Sequence, residues 1–296
     1  MYLMSYFKRE PATGMFLAAS DYLYDWHILN GGRPVLLPDE DHILRDPFII
    51  RTSDGFYHAL FTDNWEGKTI GFCTSRNLTE WCRIEHIPLM SHHPDAMNCW
   101  SPRAFFNRDS RTYHLIWSTG LFYSNGMIEN RIWTSMTRDF IDFTKPEAFF
   151  DPDYTVLDAV VLPTEGGYRM AYKGISTSYG SRYGENSHDY RYVMDDHDIS
   201  ATVTKALRTC SFRRPGSDFV GVTDPITVHE SSAPALASAN GRIFLFYEGG
   251  INHSNHLLVS DDFVNWHDET DLVNFPDECK HISICECPAS DIRRIW

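Results

Sequence analysis

The sequence predicts an all-β protein built from repeated groups of short strands. Aromatic residues make up 14% of the 296 residues, and aromatic side chains favour strands. Runs of strand length recur in a fixed order along the chain, and Gly, Asn, Asp or Ser turn residues bound them. Long stretches with the periodicity of an amphipathic helix are essentially absent.

One repeated run ends in Ser or Thr, and a polar turn and then an aromatic residue follow it. The four clear copies end at Ser20, Ser75, Thr137 and Ser260. Successive copies lie 55, 62 and 123 residues apart. Because the last interval is about twice the others, we expect a degenerate copy between them, at 191–195, which makes five units.

Two further runs precede this one in most units. A turn followed by a β-rich run occurs at 54–62, 110–118, 166–172 and 240–247, and an apolar run precedes each of them, at 44–50, 100–106, 156–162 and 230–236. Several strands in each of five units predict a five-bladed β-propeller. A β-sandwich is the alternative, but it gives no reason for the same order of strands to recur.

The phase of the repeat predicts how the ring closes. The chain begins with a segment like a second strand, at 5–8, and a third-strand run follows at 15–20. The innermost strand of this blade should therefore come from 280–287, so that N-terminal strands pair with a C-terminal inner strand. We expect residues 1–296 to form a single propeller domain.

The charge balance excludes some classes of partner. Lys and Arg total 26 against 40 Asp and Glu, a net charge of −14, so no basic face is expected for nucleic acid or an anionic membrane. The sequence shows neither a signal peptide nor an apolar run near the ~20 residues that span a bilayer. The chain is therefore expected to be soluble, either cytoplasmic or secreted after removal of a leader. The oligomeric state is left open.

Three acids fall at or just before equivalent points of the runs that should line the channel: Asp46, Asp158 and Glu230. Innermost strands begin at one mouth of a propeller, so these acids should converge there. Their mutual repulsion would separate their pKa values, as acid/base catalysis requires. Structural interpretations stay open, with Asp46 as a turn residue before Pro47 and Glu230 as a surface partner of His229.

Five short motifs follow one another along the chain: 29–35 with 44–48, 99–102, 157–159 with 168–173, Glu230 ahead of Pro234, and Lys280-His281. They resemble motifs of glycoside hydrolase family 43, five-bladed propellers that act on arabinofuranosides and xylosides. They occur in the family's order and at blade spacing, and together they span residues 1 to about 288.

The resemblance implies a role for each acid. Asp46 is similar to the general base that activates water, Glu230 to the general acid, and Asp158 to the residue that raises the pKa of the acid and orients it. The family inverts the anomeric centre in one step, which places acid and base roughly 6.5–9.5 Å apart. His281 resembles an axial histidine that holds a water or a metal ion, and carboxylate and water ligands favour Ca²⁺ over zinc. No other cofactor is expected.

A carbohydrate substrate is implied, and its contacts can be placed. Trp65 and Trp100 lie near the inferred mouth and are candidate stacking platforms for a sugar, although a tryptophan can equally belong to the core. Arg103 follows the Trp-Ser-Pro element and is a candidate substrate contact, at a place where relatives often carry an acid. The family branch implies exo action on terminal α-L-arabinofuranosyl or β-D-xylosyl residues of plant-type oligosaccharides or polysaccharides.

Departures from the family pattern leave alternatives open. Ser231, Ser232 and Ala233 lengthen the gap between Glu230 and its proline, and Ile282 replaces a glycine. A galactofuranosidase-like or β-fructosidase-like enzyme is one alternative, because Arg45-Asp46-Pro47 and Glu286-Cys287-Pro288 resemble elements of the β-fructosidase families. A propeller that binds glycan without catalysis is the alternative from another class.

Overall fold

Antiparallel strands dominate the computed structural model, which describes residues 1–8, 13–122, 128–179, 201–250 and 252–296. In chain order the strands are β1 (Tyr2–Phe7), β2 (Phe16–Ser20), β3 (His27–Ile28), β4 (Arg45–Arg51), β5 (Tyr57–Thr62), β6 (Ile70–Ser75), β7 (Glu85–Ile87), β8 (Trp100–Asn107), β9 (Thr112–Phe122), β10 (Ile128–Thr137), β11 (Glu147–Phe150), β12 (Thr155–Thr164), β13 (Gly167–Tyr179), β14 (Ala201–Phe212), β15 (Ser231–Ala239), β16 (Arg242–Gly249), β17 (Ser254–Ser260), β18 (His267–Asp268) and β19 (Lys280–Glu286).

The described strands form five antiparallel sheets, which are the blades of a propeller. From the innermost strand outward, blade I is β19-β1-β2-β3, blade II β4-β5-β6-β7, blade III β8-β9-β10-β11, blade IV β12-β13-β14 and blade V β15-β16-β17-β18. The innermost strands contact one another around the ring in the order β19, β4, β8, β12, β15 and back to β19. The expected five-bladed propeller is confirmed. The third strand of blade IV is β14, and the segment 191–195 lies outside the described residues.

Strand β19 closes the ring as the repeat predicts. It pairs antiparallel with β1, with Tyr2 opposite Glu286 and Ser5 opposite Ser283. The hydroxyl groups of Ser5 and Ser283 lie 2.7 Å apart, and the Ser5 hydroxyl also donates to the Pro47 carbonyl at 3.0 Å. Both ends of the chain therefore belong to blade I, and Ser5 links this blade to blade II.

Apolar side chains fill the spaces between neighbouring blades. Successive residues of a strand point to opposite faces of the sheet, so Leu60 packs toward blade III and Phe61 toward blade I. Leu3 and Met4 divide in the same way between blades II and V. In the described part of the chain, one buried cluster lies between each pair of adjacent blades. Burying each such side chain contributes about 1.5–3 kcal/mol.

In blades I, II, III and V, the repeated Ser or Thr at the end of the third strand caps the turn that follows. Its hydroxyl oxygen accepts a hydrogen bond from the backbone N–H three residues later. The four bonds run from Leu23 to Ser20 (2.9 Å), Leu78 to Ser75 (2.9 Å), Phe140 to Thr137 (2.9 Å) and Phe263 to Ser260 (2.8 Å). The aromatic residue closes the turn, because the Trp26 and Trp81 indoles donate to the carbonyls of Leu23 and Leu78, both at 3.1 Å. The repeated residues are therefore the ones that form the hydrogen bonds of these turns.

Helices are short and lie at the edges of the blades. Two 3₁₀ turns span Asn30–Gly32 and Thr270–Leu272, and one α-helical turn, α1, spans Ala289–Ile292. The Tyr57 hydroxyl donates to Asp291 at 2.7 Å, which fastens α1 to blade II. Among the described residues, no helix combines the length and apolar character needed to cross a membrane.

A chain that ends before Lys280 should not fold cooperatively. It lacks β19, so the backbone groups of β1 lose their partners and the inner ring opens between blades II and V. We expect thermal unfolding followed by circular dichroism to show no cooperative transition. A chain that lacks only the exposed Trp296 is the control and should unfold like the full chain. A cooperative transition in the truncated chain would contradict this topology.

Candidate active site

Every innermost strand contains a β-bulge at the same point. Between the paired residues that flank the bulge, the inner strand advances by three residues while the neighbouring strand advances by two. The first bulge residue is left-handed in each case, with φ between 45° and 54°. These residues are Asp46, Ser101, Asp158, Ala233 and His281. A left-handed conformation costs a residue other than glycine about 1–2 kcal/mol, and bulges of this kind redirect side chains.

Polar contacts connect the bulges around the channel. His281 Nδ1 lies 2.5 Å from Asp46 Oδ1, and Thr62 Oγ1 donates to Asp46 Oδ2 at 2.5 Å. The Ser101 N–H donates to Thr62 Oγ1 at 2.9 Å, and Ser101 Oγ donates to Asp158 Oδ1 at 2.7 Å. Asp46 and Asp158 therefore belong to one network at one end of the channel.

The network extends to blade V through the backbone. The Ala233 N–H donates to Asp158 Oδ2 at 3.3 Å. Ala233 thus occupies in blade V the position that Asp46 and Asp158 occupy in blades II and IV. Glu230 lies three residues earlier, before β15 begins.

A second ring of residues supports the bulges. Each member lies on the second strand of a blade, opposite the residue before the bulge, and three members accept a hydrogen bond from the bulge N–H of the next blade. These bonds run from Ser101 to Thr62 (2.9 Å), from Asp158 to Ser118 (3.0 Å) and from His281 to Glu248 (2.5 Å). Glu248 is 5% exposed and faces Lys280 Nζ at 3.5 Å. It is a buried acid of the site that sequence reasoning missed.

A sequence signal for Glu248 exists in the second-strand repeat. Thr62, Ser118 and Glu248 each lie five residues after an equivalent residue of the second-strand repeat, which is Tyr57, Tyr113 or Ile243. Lys173 holds the same position in blade IV. Aligning the second strands, rather than the innermost strands alone, would therefore have placed Glu248 beside the channel.

Electrostatics fix the charge states of the central pair. Burial opposes ionisation of Asp46, but the charge and hydrogen bond of His281, the Thr62 hydroxyl and the Arg103 charge hold the pKa of Asp46 well below its usual range. Burial also lowers the pKa of His281, yet Asp46, with Glu248 and Asp158, outweighs this effect and raises the pKa of His281 to about 9. At neutral pH the pair is an aspartate and an imidazolium.

The structure places Glu230 at the edge of this network. Its side chain is 50% exposed, and Oε1 lies 3.3 Å from Lys205 Nζ and 4.0 Å from Lys173 Nζ. Within the described residues, no hydrogen bond joins Glu230 to Asp46 or Asp158. Of the three expected acids, the fold brings two together and leaves the third against two lysines of blade IV.

The two candidate tryptophans lie together beside blade II. Their rings meet edge to face with centroids 6.4 Å apart, and Trp100 Nε1 donates to the Trp65 carbonyl at 3.0 Å. Trp65 is 54% exposed. The Arg45 guanidinium lies 4.6 Å from the Trp65 ring centroid and 4.4 Å from that of Phe7. The exposed Trp65 ring therefore lies beside Arg45, the residue that precedes Asp46.

Arg103, expected as a substrate contact, has a different position. It is 2% exposed, and its guanidinium donates to the backbone carbonyls of Asp46 at 2.9 Å and Pro102 at 3.1 Å. Burial lowers the pKa of Arg103, and the charges of Asp46 and Asp158 oppose this effect. Direct contact with a sugar conflicts with this burial. The contacts instead give Arg103 a role in holding the backbone of Asp46.

The surroundings of His281 do not form an oxygen-rich calcium cage. Its Nδ1 faces Asp46, and its Nε2 lies 4.0 Å from Glu248 Oε1. The Asp46 and Glu248 carboxylates already face Thr62, Lys280 and the His281 backbone, whereas Ca²⁺ takes 6–8 oxygen ligands. We assign no chemical step to an ion at this position.

The second acid of the β-fructosidase alternative lies elsewhere. Glu286 ends β19, five residues beyond His281, or about 16 Å along the strand. A retaining mechanism needs its carboxyl groups about 5–5.5 Å apart, so Glu286 cannot serve with Asp46.

Comparisons with known proteins agree with this architecture. A family model for a domain related to glycosyl hydrolase family 43, described as "Probable glycosyl hydrolase domain", matches residues 1–290. The chain belongs to this glycoside hydrolase family 43-related family. An α-L-arabinofuranosidase of Bifidobacterium longum subsp. longum is 25% identical over 79% of this chain and 24% of its own length. This family 43-related chain thus spans about a quarter of that curated relative.

Solved structures share the propeller fold. The crystal structure of α-L-arabinofuranosidase from Lactobacillus brevis matches with a TM-score of 0.52 and 18% identity, over 77% of this chain and 72% of that one. An exo-β-1,3-galactanase from Phanerochaete chrysosporium, crystallised with galactose, matches with a TM-score of 0.55 and 11% identity, over 86% of this chain and 54% of that one. At these identities the likeness concerns the fold of the family 43-related domain.

The ion pair of Asp46 and His281 should make stability depend on pH. Because the pKa of His281 is raised, its contribution to the free energy of unfolding is complete below the unfolded value of about 6.5 and is lost as the pH rises through about 9. The pKa of Asp46 is lowered, so its contribution is lost only in acid. We expect the stability difference between wild type and His281→Gln to shrink by on the order of 2 kcal/mol between pH 6.5 and 9.5.

Urea unfolding at several pH values measures this difference. His27→Gln is the control, since it removes an exposed histidine that lies 3.4 Å from Asp25. Its stability difference from wild type should not change over the same range. A difference for His281→Gln that is equally constant would contradict the ion pair.

Proposed function

We propose that the chain is an inverting, exo-acting glycoside hydrolase for terminal α-L-arabinofuranosyl or β-D-xylosyl residues of plant-type oligosaccharides or polysaccharides. The observation that carries the proposal is the buried Asp46 carboxylate, held ionised beside His281 and Thr62 at one end of the channel. The names of two similar proteins, both α-L-arabinofuranosidases, support the arabinofuranoside. A galactanase among the similar structures makes a galactoside the nearest alternative.

Asp46 is the general base of the proposed reaction. Its Oδ2 accepts a hydrogen bond from Thr62, and its Oδ1 lies 2.5 Å from His281 Nδ1, whereas a carboxylate can accept about four hydrogen bonds. About two positions are left, and one of them can hold a water. As the water oxygen attacks the anomeric carbon, its proton passes to Asp46 and the glycosidic C–O bond breaks. The His281 imidazolium keeps Asp46 ionised before the reaction.

Glu230 is the proposed general acid, which donates a proton to the leaving oxygen. Its carboxylate lies next to Lys205 and Lys173, so these ion pairs must open before Glu230 can reach a glycosidic oxygen. Asp158 could orient it through the backbone of β15, since Asp158 Oδ2 already accepts from the Ala233 N–H. Glu248 is a further acid at this end of the channel, and it is the alternative proton donor.

A glycan-binding propeller without catalysis is the second candidate. It is favoured by one observation, that blade V carries Ala233 at the position where blades II and IV carry Asp46 and Asp158. In that case Asp46 and Asp158 would bind sugar hydroxyls, and no glycosidic bond would break.

Aryl α-L-arabinofuranoside, β-D-xyloside and β-D-galactofuranoside test the proposal. We expect the first substrate, or the second, to be hydrolysed with the inverted anomer formed first, as NMR would show. Asp46→Asn should lower kcat by at least about 10³-fold, because amide nitrogen cannot accept the water proton. Glu230→Gln should lower kcat about 10²-fold or more on substrates with poor leaving groups, and less on activated aryl glycosides.

Glu248→Gln is the matched control for the acid. If Glu248 is the proton donor, the dependence on leaving group moves from Glu230→Gln to Glu248→Gln. Undetectable hydrolysis of all three substrates by wild type, together with sugar binding that Glu230→Gln leaves unchanged, would establish the binding propeller instead. Retention of configuration would exclude Asp46 as a general base.

Trp65→Ala should weaken substrate binding with little change in kcat. Stacking of a sugar face on the exposed indole contributes about 0.5–1.5 kcal/mol, so we expect KM to rise about 3–10-fold. Trp296→Ala is the control, because Trp296 is 66% exposed and packs against His27. An unchanged KM for Trp65→Ala would remove Trp65 from the substrate site.

A further inference from the structure

A second polar cluster lies beside blade II, outside the network of Asp46 and Asp158. Asp39 and His42 lie on the turn before β4, and His86 lies on the outer strand β7. Each of the three offers one atom that could bind a metal, and these atoms lie within 4.8 Å of one another. The proposed hydrolysis uses none of these side chains.

The Asp39 carboxylate lies between two imidazoles. Its Oδ1 is 2.8 Å from His42 Nδ1, and its Oδ2 is 2.9 Å from His86 Nε2. The two rings stack with centroids 3.7 Å apart and planes inclined by 20°. Two imidazole nitrogens and one carboxylate oxygen form a donor set that suits divalent transition metals such as Zn²⁺.

The other nitrogen of His86 supplies an independent observation. Nδ1 lies 2.6 Å from Oδ2 of Asp63, whose side chain is 0% exposed. Thr69 Oγ1 donates to the same oxygen at 2.8 Å, so this oxygen is an acceptor and Nδ1 carries the proton. The ring nitrogen left over, Nε2, faces Asp39 Oδ2 at 2.9 Å, where either a proton or a metal ion can lie between the two atoms.

We propose that Asp39, His42 and His86 bind a divalent transition-metal ion of the Zn²⁺ class, with Asp63 orienting His86 from behind. A buried carboxylate that holds the second nitrogen of a histidine ligand is the usual outer support of such sites. Three protein ligands leave one position for water. Asp39 is 45% exposed at its side chain, so it can shift to open the contacts to the separations of about 3.4 Å that ligands at ~2.1 Å from a metal need.

A metal at this site would fix the segment that leads into β4, the strand of Asp46. The Ile43 N–H donates to the Asp63 carbonyl at 2.9 Å, and Asp63 follows Thr62, which donates to Asp46. Metal bound at His42 and His86 would therefore join the turn before β4 to β7. The effect is expected on stability, and the proposal does not rest on the glycosidase activity.

Calorimetric titration of the chelator-treated, dialysed full chain with Zn²⁺ tests the site. We expect about one Zn²⁺ per chain and a higher Tm in its presence. His42→Gln, His86→Gln and Asp39→Asn should abolish this binding and the rise in Tm. Asp63→Asn should weaken binding about 10–100-fold. Since Asp39 is exposed, Asp39→Asn keeps the test valid even if the variants at partly buried positions fold poorly.

His27→Gln is the control, because it removes an exposed histidine next to an aspartate and should leave Zn²⁺ binding unchanged. Co²⁺ in place of Zn²⁺ should give a visible absorption band that Asp39→Asn removes. Absence of stoichiometric Zn²⁺ binding by wild type would overturn the proposal and assign a proton to His86 Nε2. Binding of equal affinity in Asp39→Asn and His42→Gln would also overturn it, since the ion would then lie elsewhere.

Discussion

One left-handed residue in each innermost strand decides where the polar groups of this propeller meet. A regular strand would alternate its side chains between the two neighbouring blades, where apolar clusters already fill the space. The bulge interrupts this alternation at the equivalent residue of all five innermost strands. At three of these positions, Ser101, Asp158 and His281, the bulge N–H donates a hydrogen bond to Thr62, Ser118 or Glu248, which offsets part of the strain. The frame of the site is thus built into the backbone.

Charge is distributed unevenly on this symmetrical frame. Blade II contributes Asp46 and blade I His281, and their pairing keeps one negative and one positive charge together. Arg103 holds the backbone of Asp46 from below the surface. Blade V carries Ala233 instead of an acid, and its acids lie at Glu230 and Glu248. The proton donor is therefore the part of the mechanism that the propeller repeat does not determine.

Blade II carries a disproportionate share of the chemistry. Its inner strand holds Asp46, its second strand ends at Thr62, and Asp63 connects that strand to the imidazole of His86. A metal at Asp39, His42 and His86 would therefore act on stability close to Asp46, the proposed base, without entering the proposed reaction. The exposed Trp65 follows in the same segment. Substitutions in this short region should be separable into effects on binding, chemistry and stability.

The sequence by itself determined the blade count, the closure by β19 and two members of the channel network, Asp46 and Asp158. These features depend on the residues of local turns and on the spacing of the repeats, and both can be read directly from the sequence. The equivalence of Ala233 with Asp46 and the burial of Arg103 depended on the tertiary structure. The physical reason is register: a bulge shifts the pairing by one residue, and the side-chain direction changes with it. The cluster of Asp39, His42 and His86 likewise joins a turn to a strand more than forty residues away, a proximity that only packing creates.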